Sequence, residues 1–403
     1  MPPSTAAAAP PAVDPQVRAA VRATYVAFAG SGLAFASWAS RIPQVRDHLA
    51  LSPTELGLVL LAIAAGSLVA LPLSGWVVHR FGAARTVAVM AVLLALALAV
   101  VAAGYGIGVA PVVAGLFLLG LANGAWDVAM NVHGALAEQR LGRSIMSRFH
   151  AGFSVGTVAG ALAGAGMVAL GVPVPVHLLL VAVAVAALVP LSTRGFLPDP
   201  GASPGEAGDG DGAPEPRHPL AAWLEPRTLL VGVFVMAFAF AEGTGNDWIS
   251  VAMIDGYGAP AAVGTLGFAA FLAAMTVGRW FGPALLDRYG RVVVVRVLAG
   301  LGIGGSLLFV AAPSTPIAFA GALLWGLGTS LGFPVGMSAG ADDPARAAGR
   351  VSVIASIGYC AFLAGPPTIG FLGEHSSVLR ALVAVSVLLG VAALVSASVR
   401  ERP

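Results

Sequence analysis

Twelve apolar stretches run along this chain in two sets of six, and the second set echoes the first. Hydrophobic residues fill 58% of the 403 positions and charged residues 10%, where a soluble domain carries about a quarter charged. A helix needs about 20 apolar residues to cross the hydrocarbon of a bilayer. The stretches run Ala23–Ser40, Leu56–Val78, Thr86–Tyr105, Val109–Val132, Phe149–Leu170 and Pro173–Leu191. They resume with Thr228–Val251, Ala261–Phe281, Val292–Ala312, Pro316–Ala339, Val351–Phe371 and Val378–Val399. The sequence therefore predicts an all-α membrane protein of twelve transmembrane helices in two pseudo-symmetric six-helix bundles. Its chemistry must be sought in the few polar groups left inside the spans.

The arginines orient it. All 21 basic residues other than His are Arg. With the N-terminus in the cytoplasm, 18 of them fall on the inner side and only Arg41, Arg46 and Arg380 on the outer, the bias expected of a multi-pass plasma (inner) membrane protein. An even number of spans places both termini inside. This assignment puts Arg279, Arg288 and Arg291 among the cytoplasmic arginines, and Arg296 must snorkel from the ninth span. The net charge of +2 then reports topology and no nucleic-acid partner. The Pro- and Ala-rich start lacks a signal-peptide core and reads as a tail before an uncleaved span. The single cysteine, Cys360, excludes an intrachain disulfide and reads as packing.

Residues 198–219 are rich in Pro, Gly and acids and have no apolar periodicity, the composition of a loose linker. The chain is thus expected to divide into a cytoplasmic tail (1–22), an N-terminal bundle (23–195), a cytoplasmic linker (196–226) and a C-terminal bundle (227–403). The bundles repeat one another. Trp38 stands 18 residues before Leu56-Gly57, and Trp248 stands the same distance before Leu266-Gly267. His79-Arg80-Phe81-Gly82 is matched by Asp287-Arg288-Tyr289-Gly290, Leu119-Gly120-Leu121 by Trp325-Gly326-Leu327, and Ser154-Val155-Gly156 by Ser356-Ile357-Gly358. Parallel repeats of this kind rock against each other around a site near the bilayer midplane.

These features resemble the major facilitator superfamily along essentially the whole chain. Gly75-x-x-x-His79-Arg80-x-Gly82 is similar to that family's loop signature, with His79 where Asp is usual. The second copy has Asp287, Arg288 and Gly290, but Pro283 stands where Gly is usual. Trp38-Ala-Ser-Arg41-Ile-Pro43 and Asn123-Gly-x-Trp126-Asp127-x-x-x-Asn131 resemble the MosC-like branch, relatives of fucose permeases. The resemblance implies alternating access and a sugar, polyol or inositol-like amine as solute.

Asn123, Asp127 and Asn131 are spaced by four and share a helix face, drifting ~40° per step. Their counterparts in the second half are Thr329, Phe333 and Met337, so the fold does not require polar groups there. An Asp at a span centre costs ~2.5–3.5 kcal/mol on insertion scales and marks a functional site by default; the alternative is a static pair with Arg148 or His150. Glu242 and Asn246 share a face of the seventh span, and Asp247 is turned ~100° away. Asp247 reads equally well as a helix-end acid. Burial away from water favours the neutral form of a carboxylic acid. Asp127 and Glu242 are therefore expected as proton-coupling groups facing one cavity. Trp38 and Trp126 are expected to line that cavity or its gate, and Trp76 and Trp280 to sit in the interfacial belt.

Gly152-Phe-Ser154-Val-Gly156 and Gly300-x-Gly302-x-x-Gly305 imitate enzyme motifs, but neither follows a strand. There is no Walker loop, no HExxH and no Cys/His cluster, so neither cofactor nor metal is expected. The reading is a monomeric secondary transporter of a small polar solute, coupled to protons. An exporter of apolar compounds using Phe333, Met337 and Trp126 is the alternative, and a non-transporting membrane sensor the second. An enzyme fits least, because no nucleophile–base pair is present.

Overall fold

A computed structural model of the protein describes residues 14–142, 145–198, 221–343 and 346–401; most of the expected linker lies outside them. With no water in the bilayer core, each backbone must bond within itself, and an apolar run does so as a helix. The described residues contain no strand. In the first half the helices are α1 (Pro15–Ala39), α2 (Ile42–His48), α3 (Pro53–Phe81), α4 (Ala83–Gly104), α5 (Val109–Leu141), α6 (Met146–Ala169) and α7 (Val174–Thr193). The second half has α8 (Pro226–Tyr257), α9 (Ala261–Tyr289), α10 (Arg291–Ala311), α11 (Thr315–Thr329), α12 (Gly332–Gly340), α13 (Ala347–His375), α14 (Val378–Ala381) and α15 (Val383–Val395). Twelve of these segments, some made of two helices, are long and apolar enough to cross a membrane.

Helix starts follow local chemistry more than hydropathy. The first helix begins at Pro15, well before the expected Ala23. Asp14 accepts the Gln16 amide at 2.8 Å, and a proline at the first helical position is preset for the turn. Ser52 and Glu55 close a reciprocal capping box on α3, which satisfies two otherwise unpaired amides.

The packing repeats. α1 lies on α6 and α7 as α8 lies on α13 and α15; α3 lies on α5 as α9 lies on α11; α4 lies on α5 and α7 as α10 lies on α11 and α15. The repeated glycines explain the closest of these crossings. A Cβ at Gly120 would overlap the Ile63 carbonyl, and one at Gly326 would overlap that of Phe271. The two signature loops are also alike: Gly82 has φ 83° and ψ 156°, Gly290 φ 77° and ψ 158°. The Arg80 and Arg288 guanidiniums sit 5.6 and 5.2 Å from the neighbouring Phe81 and Tyr289 rings.

The halves meet through α3 with α13 and α6 with α9. At the face away from the termini the seal is tight. A Cβ at Gly57 would overlap the Pro366 carbonyl, and one at Gly370 that of Pro53. Arg46 of α2 pairs with both carboxylate oxygens of Asp255 at the end of α8, and the Thr54 amide donates to Glu374 at 3.2 Å. These polar contacts tie the halves together beside the glycine crossings. At the other face, where the termini and most arginines lie, the ends of α3 and α9 are exposed. The glycine crossings between the halves thus lie at the face opposite the basic one.

The tenth span departs from expectation. It breaks at Ser330–Leu331 into α11 and α12. Pro334 has no amide hydrogen, so the Ser330 carbonyl one turn earlier loses its ladder donor.

Candidate functional site

The polar face of α5 forms as its spacing requires. The Asn123 side-chain oxygen accepts from Ser31 Oγ of α1 at 2.9 Å. Asn131 Nδ2 donates to the Asp127 carbonyl at 2.8 Å and to its carboxylate at 3.2 Å. Asp127 lies ~27 Å along α5 from its start, far from either water layer. The expected alternative of a static pair is corrected: Arg148 and His150 are exposed and neither pairs with Asp127. His150 rests edge-on against Phe28, with ring centres 5.1 Å apart. Across the gap, Asp127 lies within electrostatic reach of Tyr359 on α13. Neither the spacing nor the hydropathy of α13 singles out that tyrosine.

In the second half Glu242 is not the isolated acid the sequence predicts. Arg279 Nη2 donates to Glu242 Oε1 at 2.8 Å, with both side chains about a quarter exposed or less. Arg279 Nε donates to the freed Ser330 carbonyl at 3.3 Å. The assignment of Arg279 to the cytoplasmic arginines is therefore corrected: it sits in the interior, within electrostatic reach of His150 on α6. The partner of Glu242 lies 37 residues away on the next helix, a separation no local motif encodes. Asn246 keeps a buried side-chain oxygen without a partner, and Asp247 has no hydrogen bond or ion pair among the described residues.

Trp38 and Trp126 do not line a wetted cavity in this conformation. They are 1% and 0% exposed, and the Trp126 ring packs towards Gly30 of α1, close to Val189 of α7. A ring without accessible surface fills a bundle core. Trp76 and Trp280, by contrast, are 64% and 61% exposed, as suits an interfacial belt. Gly75 has open space around it, and Arg80, Asp287 and Arg288 are exposed at the basic face. Cys360 is exposed instead of packed. Arg296 is held by Ser396 Oγ at 2.8 Å. A furrow of about 620 Å³ between α3 and α5, lined by Leu58, Ala62, Ala114 and Phe117 among others, is wholly apolar in its side chains and holds none of these groups. Among the described residues no cluster of three or more His, Cys, Asp or Glu could hold a metal.

Two six-helix halves, a broken span and intramembrane acids on both sides of one gap define a polytopic membrane transporter. The Major Facilitator Superfamily profile matches residues 24–366, and the chain belongs to that family. An uncharacterized transporter, y4wD, of Sinorhizobium fredii is 30% identical over 365 residues, covering 89% of this chain and 92% of the relative. The membrane protein MosC of Rhizobium meliloti is 28% identical over 386 residues, covering 94% and 91%. Among solved structures, the nucleoside transporter NupG shares the fold with a TM-score of 0.70 at 15% identity, covering 93% of this chain and 98% of its own. The E. coli fucose:proton symporter FucP does so with a TM-score of 0.60 at 14% identity, covering 94% and 100%.

Proposed function

We propose that the protein moves a small hydroxyl-rich solute, a sugar, polyol or inositol-like amine, across the inner membrane by alternating access, as a monomer coupled to protons. The basic face is cytoplasmic in this reading, and the structure is the state open to the cytoplasm. Asn123, Asn131 and Asn246 offer amides that both donate and accept, which suits hydroxyl groups. A fucose:proton symporter and a nucleoside transporter on the same fold support the solute class and the coupling.

The observation that carries the coupling is Asp127. It is a carboxyl inside a span with no cation beside it among the described residues and one weak amide bond, and it faces the other half. Such a group can be satisfied by a proton. The test is a set of liposomes reconstituted with the protein and loaded with a pH-sensitive dye. Sugars, inositols and amines are added in turn, and the one that drives proton entry is kept. Asp127→Asn should abolish that proton entry while solute exchange persists. Undiminished solute-driven proton entry in Asp127→Asn removes this residue from the coupling.

A further inference from the structure

Arg279 lies ~27 Å along α9 from its start, in the interior, and it touches two structures at once. Its Nη2 meets Glu242 on α8 at 2.8 Å and its Nε meets the Ser330 carbonyl at 3.3 Å. That carbonyl is available because Pro334, one turn on, cannot donate to it. The neighbouring Gly278 lets α9 lie directly on the break, since a Cβ there would overlap the Ser330 side chain. α9 is also one of the two helices of this half that pack broadly on the other half, against α6, whose His150 lies within reach of the guanidinium.

The break therefore borrows its hydrogen-bond donor from a cation, and that cation is oriented by a carboxylate. A guanidinium is planar and always charged, and it fits two acceptors at fixed angles. If Glu242 gains a proton, the cation loses its anion in a partly buried site. It must then turn away from Ser330 or find another acceptor. We propose that Arg279 transmits the protonation state of Glu242 to the broken span α11–α12, and through α9 to the width of the gap between the halves. This rests on the reading of that gap as the moving part of a transporter. Of the other titratable groups, His150 on α6 lies within reach of Arg279, with Arg148 two residues before it; Asp247 shares α8 with Glu242, and Tyr359 and Cys360 lie on α13, which packs on α8, with Asp127 within reach of Tyr359.

The test measures shape and needs neither a solute nor a proton gradient. Full-length protein with Cys360→Ser receives spin labels at Gln139 and Ala284, both exposed near the basic-face ends of α5 and α9. Distances between the labels are measured in nanodiscs at acidic and alkaline pH. The expected result is a distance distribution that shifts with pH. Glu242→Gln should show the acidic distribution at both pH values, and Arg279→Gln should lose the shift. Arg279→Lys should keep part of it, because an ammonium can meet Glu242 but has no planar fork for Ser330. Should Arg279→Gln fail to fold, the Glu242→Gln/Arg279→Gln protein replaces it, since it leaves no lone charge, and it should be equally insensitive to pH. A wild-type shift in either Arg279→Gln protein overturns the proposal. An Asp127→Asn protein with the same labels should keep the shift; its loss there would assign the signal to Asp127 and also overturn the proposal, whatever the flux experiment shows.

Discussion

Gly82 and Gly290 close the two signature loops with φ near 80° and ψ near 157°, a region open essentially to glycine alone. A side chain held there costs on the order of 1–3 kcal/mol. Gly290→Ala should therefore lower the melting temperature in detergent by several degrees, while Gly75→Ala, in the same signature but within a helix and with free space around it, should leave it unchanged. Equal effects would show that the signature glycines act through something other than backbone geometry. At this scale the sequence was informative where chemistry is local. The spacing of Asn123, Asp127 and Asn131 placed one polar face, and the Asn131–Asp127 bond forms within it. It is uninformative where the partner is distant: Arg279 joins Glu242 from another helix, and counting charges by position puts it at the basic face when it lies inside the bundle. Nor could composition tell that Trp126 turns into a bundle core, because a tryptophan beside an intramembrane acid fits a wall as well as a cavity.

Helices were legible as apolar runs, their ends and interruptions less so. A hydropathy window averages over the single residue that starts or breaks a helix, such as Pro15 or Pro334. The same is true of the start of α8. Just ahead of it Glu225 accepts from Arg350 Nε of α13 at 2.6 Å and from Thr228 Oγ1 at 3.0 Å, with Arg346 at 3.5 Å. The hydrogen bond from Arg350, with these neighbours, holds the Glu225 carboxyl below the usual glutamate range. A carboxyl depressed on folding contributes stability that is complete above its unfolded value of ~4.3 and is lost as pH falls through the lower folded value. Glu225→Gln should thus destabilise the protein by on the order of 1 kcal/mol near neutral pH. The two melting temperatures should converge once the medium is more acidic than the folded value. A gap that stays constant down to that acidity would mean that Glu225 acts by shape and not by charge. Arg350 lies in the first turn of α13, whose far end seals the opposite face, so this local network anchors the basic-face end of that helix.

Across the whole molecule the internal repeat is what makes two states possible. Five helix pairings recur in both halves, so the two halves are built alike, as parallel repeats that rock against each other are. The present state is held at the opposite face by surfaces that tolerate no side chain. Gly57 lies against the Pro366 carbonyl and Gly370 against that of Pro53, with the Arg46–Asp255 pair beside them. A leucine at Gly57 cannot be accommodated unless α3 and α13 part by several ångström. It should therefore shift the population towards the state open at that face without disturbing either bundle, since a change is felt only by the state that makes the contact. The reporter is Gln44 of α2, whose buried side-chain oxygen lacks a partner. In a Gln44→Cys/Cys360→Ser background, the rate at which maleimide labels the introduced thiol should rise by about tenfold or more on adding Gly57→Leu, a shift of about 1.4 kcal/mol, and net flux of the coupled solute should cease while its binding persists. Asp255→Asn should move the rate in the same direction by less, because a partly exposed ion pair contributes only about 1 kcal/mol. An unchanged labelling rate in Gly57→Leu would mean that the seal yields by local bending of α3, and the picture of two rigid halves rocking about a central gap would have to be given up.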